Sequence, residues 1–166
     1  MSAPQHPVSL RQFLSDGPSV PCAGVAAPQR SFRIPTDLRH RTIDAGTMPT
    51  VTTLLDGFAR AWDFPSHFGR NKDAFDDCMR DLDSDVHGAA AAGYLTVISH
   101  AELLLADEPD ELGWFAGSLA FYAEHYREVA DPRATFAVLL LTTETLLPDV
   151  IDRWLATGFP IVEIEV

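Results

Sequence analysis

Apolar positions recur along this chain in two rhythms. Val51, Leu54, Leu55, Phe58 and Trp62 lie at i, i+3, i+4, i+7 and i+11, which predicts an amphipathic helix with Phe58 and Trp62 in the core. Thr50 or Thr52 can cap it, and it stops before Phe64-Pro65. Phe75, Cys78, Met79 and Leu82 repeat the helical spacing, as do Leu112, Phe115, Ala116, Leu119, Tyr122, Ala123 and Tyr126. Pro109, with Asp110 and Glu111 after it, opens that longer helix, while Gly113 and Gly117 weaken it or let a neighbour pack close. A short helix is expected from 101 to 106, capped by Ser99 or His100. A last helix opens at Pro148, carries Val150, Ile151, Trp154 and Leu155 on one face, and stops at Gly158.

The second rhythm is that of strands. Residues 94–98 and 135–141 are almost continuously apolar, as strands covered on both faces are. A strand is expected within 31–43, closed by an Asp44-Ala45-Gly46 turn. The alternation Ile161-Val162-Glu163-Ile164-Glu165-Val166 predicts another. Strand, helix and strand in succession favour parallel pairing, so the class is α/β and the last segment adds a strand to the sheet. As a free edge, its Glu163 and Glu165 would discourage edge-to-edge association. Residues 1–38 read as an extension, partly irregular, with one helical turn near Leu10. Residues 39–142 form the main domain, and 143–166 a helix–strand addition to it.

The stretch from Pro65 to Leu82 organises the rest. Pro65 fixes φ before a tight loop in which Gly69 can supply a positive φ. Asn71 suits the N-cap of the helix that follows, and Asp73 suits its positive end. Opposite the apolar stripe lie Asp73, Asp77 and Asp81 at i, i+4 and i+8, with Asp76 beside them. Asp is a poor helix former, and like charges at i, i+4 cost roughly 0.2–0.5 kcal/mol per pair. Arg80, at i+4 from Asp76, is that residue's local partner, whereas Asp77 has none. A solvated face of an acidic protein explains the stripe as readily as a surface built to meet positive charge.

Composition narrows the choice. The chain has 166 residues and a net charge of −12, enough length for one core and the wrong sign for a phosphate-binding surface. A basic protein partner fits better, and electrostatic steering would speed its capture. The charge is uneven, with five Arg against two Asp before residue 43, so the extension can fold back on the acidic body or hang loose. Two cysteines, Cys22 and Cys78, make no disulfide framework, and zinc ligands in register are lacking. A calcium loop starting at Asp81 fails, because its sixth and twelfth positions are Val86 and Ala92 rather than Gly and Glu. His87 and Gly88 read as part of an acidic loop. There is no signal-peptide pattern and no apolar run long enough to span a membrane, so a cytoplasmic protein is expected, without cofactor or metal.

The run Pro65-Ser66-His67-Phe68-Gly69-Arg70-Asn71-Lys72-Asp73-Ala74-Phe75-Asp76-Asp77 resembles the barstar family, small inhibitors of barnase-type ribonucleases, over roughly residues 39–142. The resemblance implies a small parallel sheet of three strands packed with helices, to which the C-terminal strand would be a fourth. It also implies a loop and second helix that plug a nuclease active site. It aligns Asp73 and Asp77 with the family's contact carboxylates, places His67 and Phe68 where an aromatic pair covers the nuclease site, and makes Glu124 the match for a further acidic contact. Gly69 and Asn71 shape the loop, and Asn71 caps more than it contacts. Asp76 departs from the pattern, standing where the family has a large aromatic, which turns attention to a more basic nuclease or a toxin domain for which this chain is the immunity protein.

The leading expectation is therefore a non-catalytic inhibitor of a basic ribonuclease, monomeric when free, whose acidic loop and helix mimic RNA phosphates. The alternative is an acidic interaction module on the same scaffold with a non-nuclease partner, which the two extensions favour somewhat. A carboxylate metalloenzyme fares worst, since no histidine-rich or nucleophile-bearing constellation accompanies the carboxylates.

Overall fold

The computed structural model describes residues 8–15, 22–25, 34–84 and 90–165. Six parallel strands form one sheet: β1 (Val8–Ser9), β2 (Cys22–Val25), β3 (Leu38–Asp44), β4 (Gly93–Ser99), β5 (Thr135–Thr142) and β6 (Val162–Glu165), in the order β1-β6-β2-β5-β4-β3. β3, β4 and β5 make the three-strand parallel unit, with Leu38 beside Gly93 and Gly93 beside Thr135. Five α-helices accompany the sheet: α1 (Leu10–Ser15), α2 (Val51–Ala61), α3 (Lys72–Met79), α4 (Leu112–Glu128) and α5 (Leu147–Leu155).

The periodicities become a core as the spacing requires. Leu54, Leu55, Phe58 and Trp62 of the α2 segment are buried with Phe75, Phe115, Leu119, Tyr122 and Trp154 in one cluster against the sheet. Thr50 rather than Thr52 caps α2, through a reciprocal pair of bonds with Thr53. Trp62 donates its indole N–H to buried Thr96 on β4, 3.1 Å away, so neither polar group is stranded. Every apolar position expected on α4 is buried. Gly117 on α4 is needed for close approach, because a Cβ there would come 3.3 Å from the Phe159 ring. A smaller cluster, Leu10 and Phe13 of α1 with Leu95, Val97, Ala137, Leu139 and Ile164, covers the opposite face.

Several expectations need correction. The described parts of the extension supply two strands and a helix, where composition indicates only a helical turn. β6 joins the sheet but not beside β5, because β2 lies between them: Cys22 pairs with Leu139 on one side and Val162 on the other. Nor is β6 a free edge, as Val8 and Ser9 pair with Ile164 and Glu165. β1 and β2 are too short, and too poor in large apolar residues, to announce themselves by pattern. Leu155 turns outward from α5, 51% exposed, while Val150 and Trp154 are buried. The segment after β4 is only a 3-10 turn, Ala101–Leu103, whose flanking His100 makes no side-chain cap. Another 3-10 turn, Pro109–Glu111, leads into α4. His87 and Gly88 fall outside the described residues.

Candidate functional site: the acidic loop and helix

Asn71 places the helix. Its side-chain oxygen accepts the Ala74 amide at 2.8 Å, and its amide nitrogen donates to the Gly69 carbonyl at 3.3 Å. One side chain thus closes the loop and caps α3. Gly69 does not supply the positive φ; Arg70 does, at 52°. Left-handed backbone at Arg70 is held by a two-pronged ion pair with Asp56 of α2, whose first bond is 2.9 Å. At Gly69 a Cβ would crowd the capping side chain, coming 3.2 Å from the Asn71 amide nitrogen. Phe68 is half-buried, its ring edge-on to Phe64 at 5.1 Å and its amide bonded to the Pro65 carbonyl. It braces the loop from beneath, and exposed His67 stands over it in sequence.

α3 stops at Met79, earlier than its apolar spacing indicates. The Tyr126 hydroxyl of α4 donates to the Met79 carbonyl and accepts the Leu82 amide at 3.0 Å, so one buried group satisfies the chain where the helix ends. Asp81 therefore lies in the turn after the helix. Phe75, Met79 and Leu82 are fully buried, whereas Cys78 is half-buried. Burial first, and then Asp77 and Asp81, push the Cys78 thiol up from its ordinary range.

The two neighbouring carboxylates exchange the roles that spacing gave them. Asp76 is half-buried and accepts a short hydrogen bond from the Tyr122 hydroxyl of α4. Burial and this bond drive the Tyr122 phenol well above its usual range. Arg80 reaches Asp77, not the Asp76 carboxylate, at 3.0 Å, and gives Asp76 only a bond to its backbone carbonyl. The Asp77 side chain is nevertheless 76% exposed. The reason is geometric: α4 packs on the Asp76 side of α3 and takes that carboxylate, leaving the arginine to the next one. Asp73 is exposed and has no ion pair or hydrogen bond among the described residues. Lys72, the cation at the start of α3, is occupied by Glu111 at 2.7 Å and lies over the Trp114 ring at 4.6 Å.

α3 thus presents Asp73 and Asp77 outward, with Asp81 just beyond, and keeps Asp76 inward. Glu124 is exposed on α4, and no bond among the described residues ties it to α3. It lies one turn beyond Phe121, whose ring sits 5.4 Å beneath the Arg80 guanidinium. Tyr122, Tyr126 and Phe121 are the residues that sequence reasoning missed as determinants of this surface. The two tyrosines, spaced i, i+4 on a buried stripe, did carry a signal, because buried hydroxyls require partners. Among the described residues, no group of three or more His, Cys, Asp or Glu is placed to hold a metal ion. No helix there is long and apolar enough to cross a membrane. The surface offers carboxylates to a cationic partner.

No curated protein matches the chain. Among solved structures it is similar to the ORC2 protein of Aeropyrum pernix in its ADPNP–ADP complexes, at 13% identity and a TM-score of 0.48, over 76% of this chain and 32% of that one. A likeness of that size carries no functional argument. The profile of the Barstar (barnase inhibitor) family matches residues 38–140, the segment that contains β3, α2, the capped loop, α3, β4, α4 and most of β5. That match spans more than half of the chain, and the chain belongs to the barstar family.

Proposed function

We propose that the chain is a non-catalytic inhibitor of a basic ribonuclease, barnase-type or the nuclease domain of a toxin, and acts in the cytoplasm as an antidote or immunity protein. The observation that carries the reading is the outward pair Asp73 and Asp77 on a helix whose start is pinned by Asn71. A nuclease that cleaves a phosphodiester keeps cations where phosphates bind and charge develops. Carboxylates one helical turn apart, held on a rigid helix, can occupy those phosphate positions at little entropic cost. Asp77 is the main contact and Asp73 the second. The loop residues His67, Phe68 and Gly69 bring the chain close to the enzyme, and Glu124 adds charge from α4.

Asp76 takes a different part from that of its neighbours. Tied to Tyr122, it fixes α3 against α4 and so sets the angle at which Asp73 and Asp77 meet the partner. The Asp77–Arg80 pair does not cancel the site, because an exposed pair of this kind is worth roughly 0–1 kcal/mol and a partner's cation can replace it.

The test is titration of a barnase-type ribonuclease with the protein while RNA cleavage is followed. Stoichiometric loss of cleavage that is abolished in the Asp73→Ala, Asp77→Ala variant supports inhibition through this face. Cleavage undiminished by wild type, with no complex formed, is the result that the second reading predicts, an acidic interaction module on a barstar scaffold with a non-nuclease partner. That reading draws on the added strands β1, β2 and β6, which enlarge the sheet beyond β5.

A further inference from the structure

The seam between α3 and α4 holds a feature that the carboxylates do not explain. Phe121 is 48% exposed, one of four large apolar side chains left in solvent among the described residues. Phe121 adjoins the acidic face through Arg80. One face of its ring carries the Arg80 guanidinium, which in turn reaches Asp77. The order across the surface is carboxylate, guanidinium, ring, with Glu124 one turn further along α4. Asp76, the α3 position nearest the seam, cannot serve as an apolar contact, being a carboxylate committed to Tyr122.

We infer that Phe121 is the apolar anchor of the partner-binding surface, and that Arg80 is an internal counterion which the partner displaces from Asp77. The inference rests on the inhibitor reading and deepens it. The partner it fits is a basic protein with an apolar or aromatic side chain next to its cationic site. Sites that process single-stranded RNA have this make-up, since they pair cations for phosphates with flat apolar platforms for bases. Charge complementarity selects that partner: the chain carries −12 overall, and the ring lies under the arginine that reaches the outward Asp77. Aromatic anchors ringed by charge are where binding energy concentrates. Arg80, stacked on the ring and bonded to Asp77, keeps both in place until a partner arrives.

The experiment measures affinity of the whole chain for a barnase-type ribonuclease by calorimetry, with thermal unfolding of each variant as a check on folding. Phe121→Ala is expected to weaken binding at least tenfold, and Phe121→Tyr, which keeps the ring, to restore most of it. Arg80→Gln is expected to strengthen binding about two- to fivefold, because it frees Asp77. The Asp73→Ala, Asp77→Ala variant separates the two levels of the argument. If that variant loses binding while Phe121→Ala stays within twofold of wild type, the anchor is wrong and the inhibitor reading stands. If Arg80→Gln weakens binding as much as Phe121→Ala does, the ring is only a platform for the arginine and the inference is overturned. If wild type neither binds nor inhibits the enzyme, both fall together.

Discussion

Replacing Asp76 and Asp77 in turn should give opposite results, although the two residues are adjacent and chemically identical. Asp76→Ala removes the acceptor of the Tyr122 hydroxyl, on a residue that is fully buried. A hydrogen bond to a charged group contributes about 1.5–3 kcal/mol. Part of the loss is offset, because Ala is the better helix former by roughly 0.5 kcal/mol. The expected net destabilisation is about 1–2 kcal/mol, a fall in Tm of roughly 2–8 °C for a chain of this size. Asp77→Ala loses an exposed ion pair worth about 0–1 kcal/mol but relieves repulsion from Asp73 and Asp81 and improves helix propensity. Its stability should stay within about 0.5 kcal/mol of wild type by that same arithmetic. Urea unfolding of both variants, and of the double-mutant cycle between Asp76→Ala and Tyr122→Phe, measures this. The cycle should show a coupling of about 1 kcal/mol. An Asp76→Ala variant as stable as Asp77→Ala, with no coupling to Tyr122, would refute the division of labour between the two carboxylates.

Other consequences can be checked on the isolated protein. Asn71→Ala should cost about 1 kcal/mol, seen as a lower urea midpoint, while Asn71→Ser should recover most of the loss. Gly93→Ala should be strongly destabilising, since a Cβ would fall 2.5 Å from the Leu38 side chain and 2.8 Å from the Thr135 carbonyl; soluble expression and Tm report it. Burial raises the Tyr122 and Tyr126 phenols in the folded state. Their contribution to stability is therefore complete below the unfolded phenol range, about 10, and is lost as pH rises beyond it. Stability, measured from unfolding followed by tyrosinate absorbance, should fall off above that pH, and less steeply in Tyr122→Phe.

Much of this architecture is legible in the sequence, and the exceptions have physical causes. α2 and α4 follow from apolar spacing alone, because each buries one continuous stripe in the main core. Asn71 is legible as a cap because only a short polar side chain can close the first turn. The length of α3 is not, since its end is decided by the Tyr126 hydroxyl, a tertiary partner 47 residues away. The partners of Asp76 and Asp77 fail for the same reason: spacing of i, i+4 offers Arg80 to Asp76, but α4 reaches that carboxylate first. Arg70 rather than Gly69 takes the positive φ because the ion pair to Asp56 holds it there, a contact that loop composition does not encode. β1 and β2 pair with β6 and β5 over four or fewer residues each, lengths too short for periodicity to register, whereas the alternation of β6 is plain in the sequence.

The central claim is that Asp73 and Asp77 on α3 hold a basic ribonuclease. Its most direct measurement is the inhibition constant of wild type and of Asp73→Ala, Asp77→Ala against a barnase-type enzyme, read from RNA cleavage at two salt concentrations. The account predicts tight inhibition by wild type that weakens with salt, and a loss of at least a hundredfold in the variant with its fold intact. Inhibition undiminished by the double substitution would contradict it and move the binding surface away from α3.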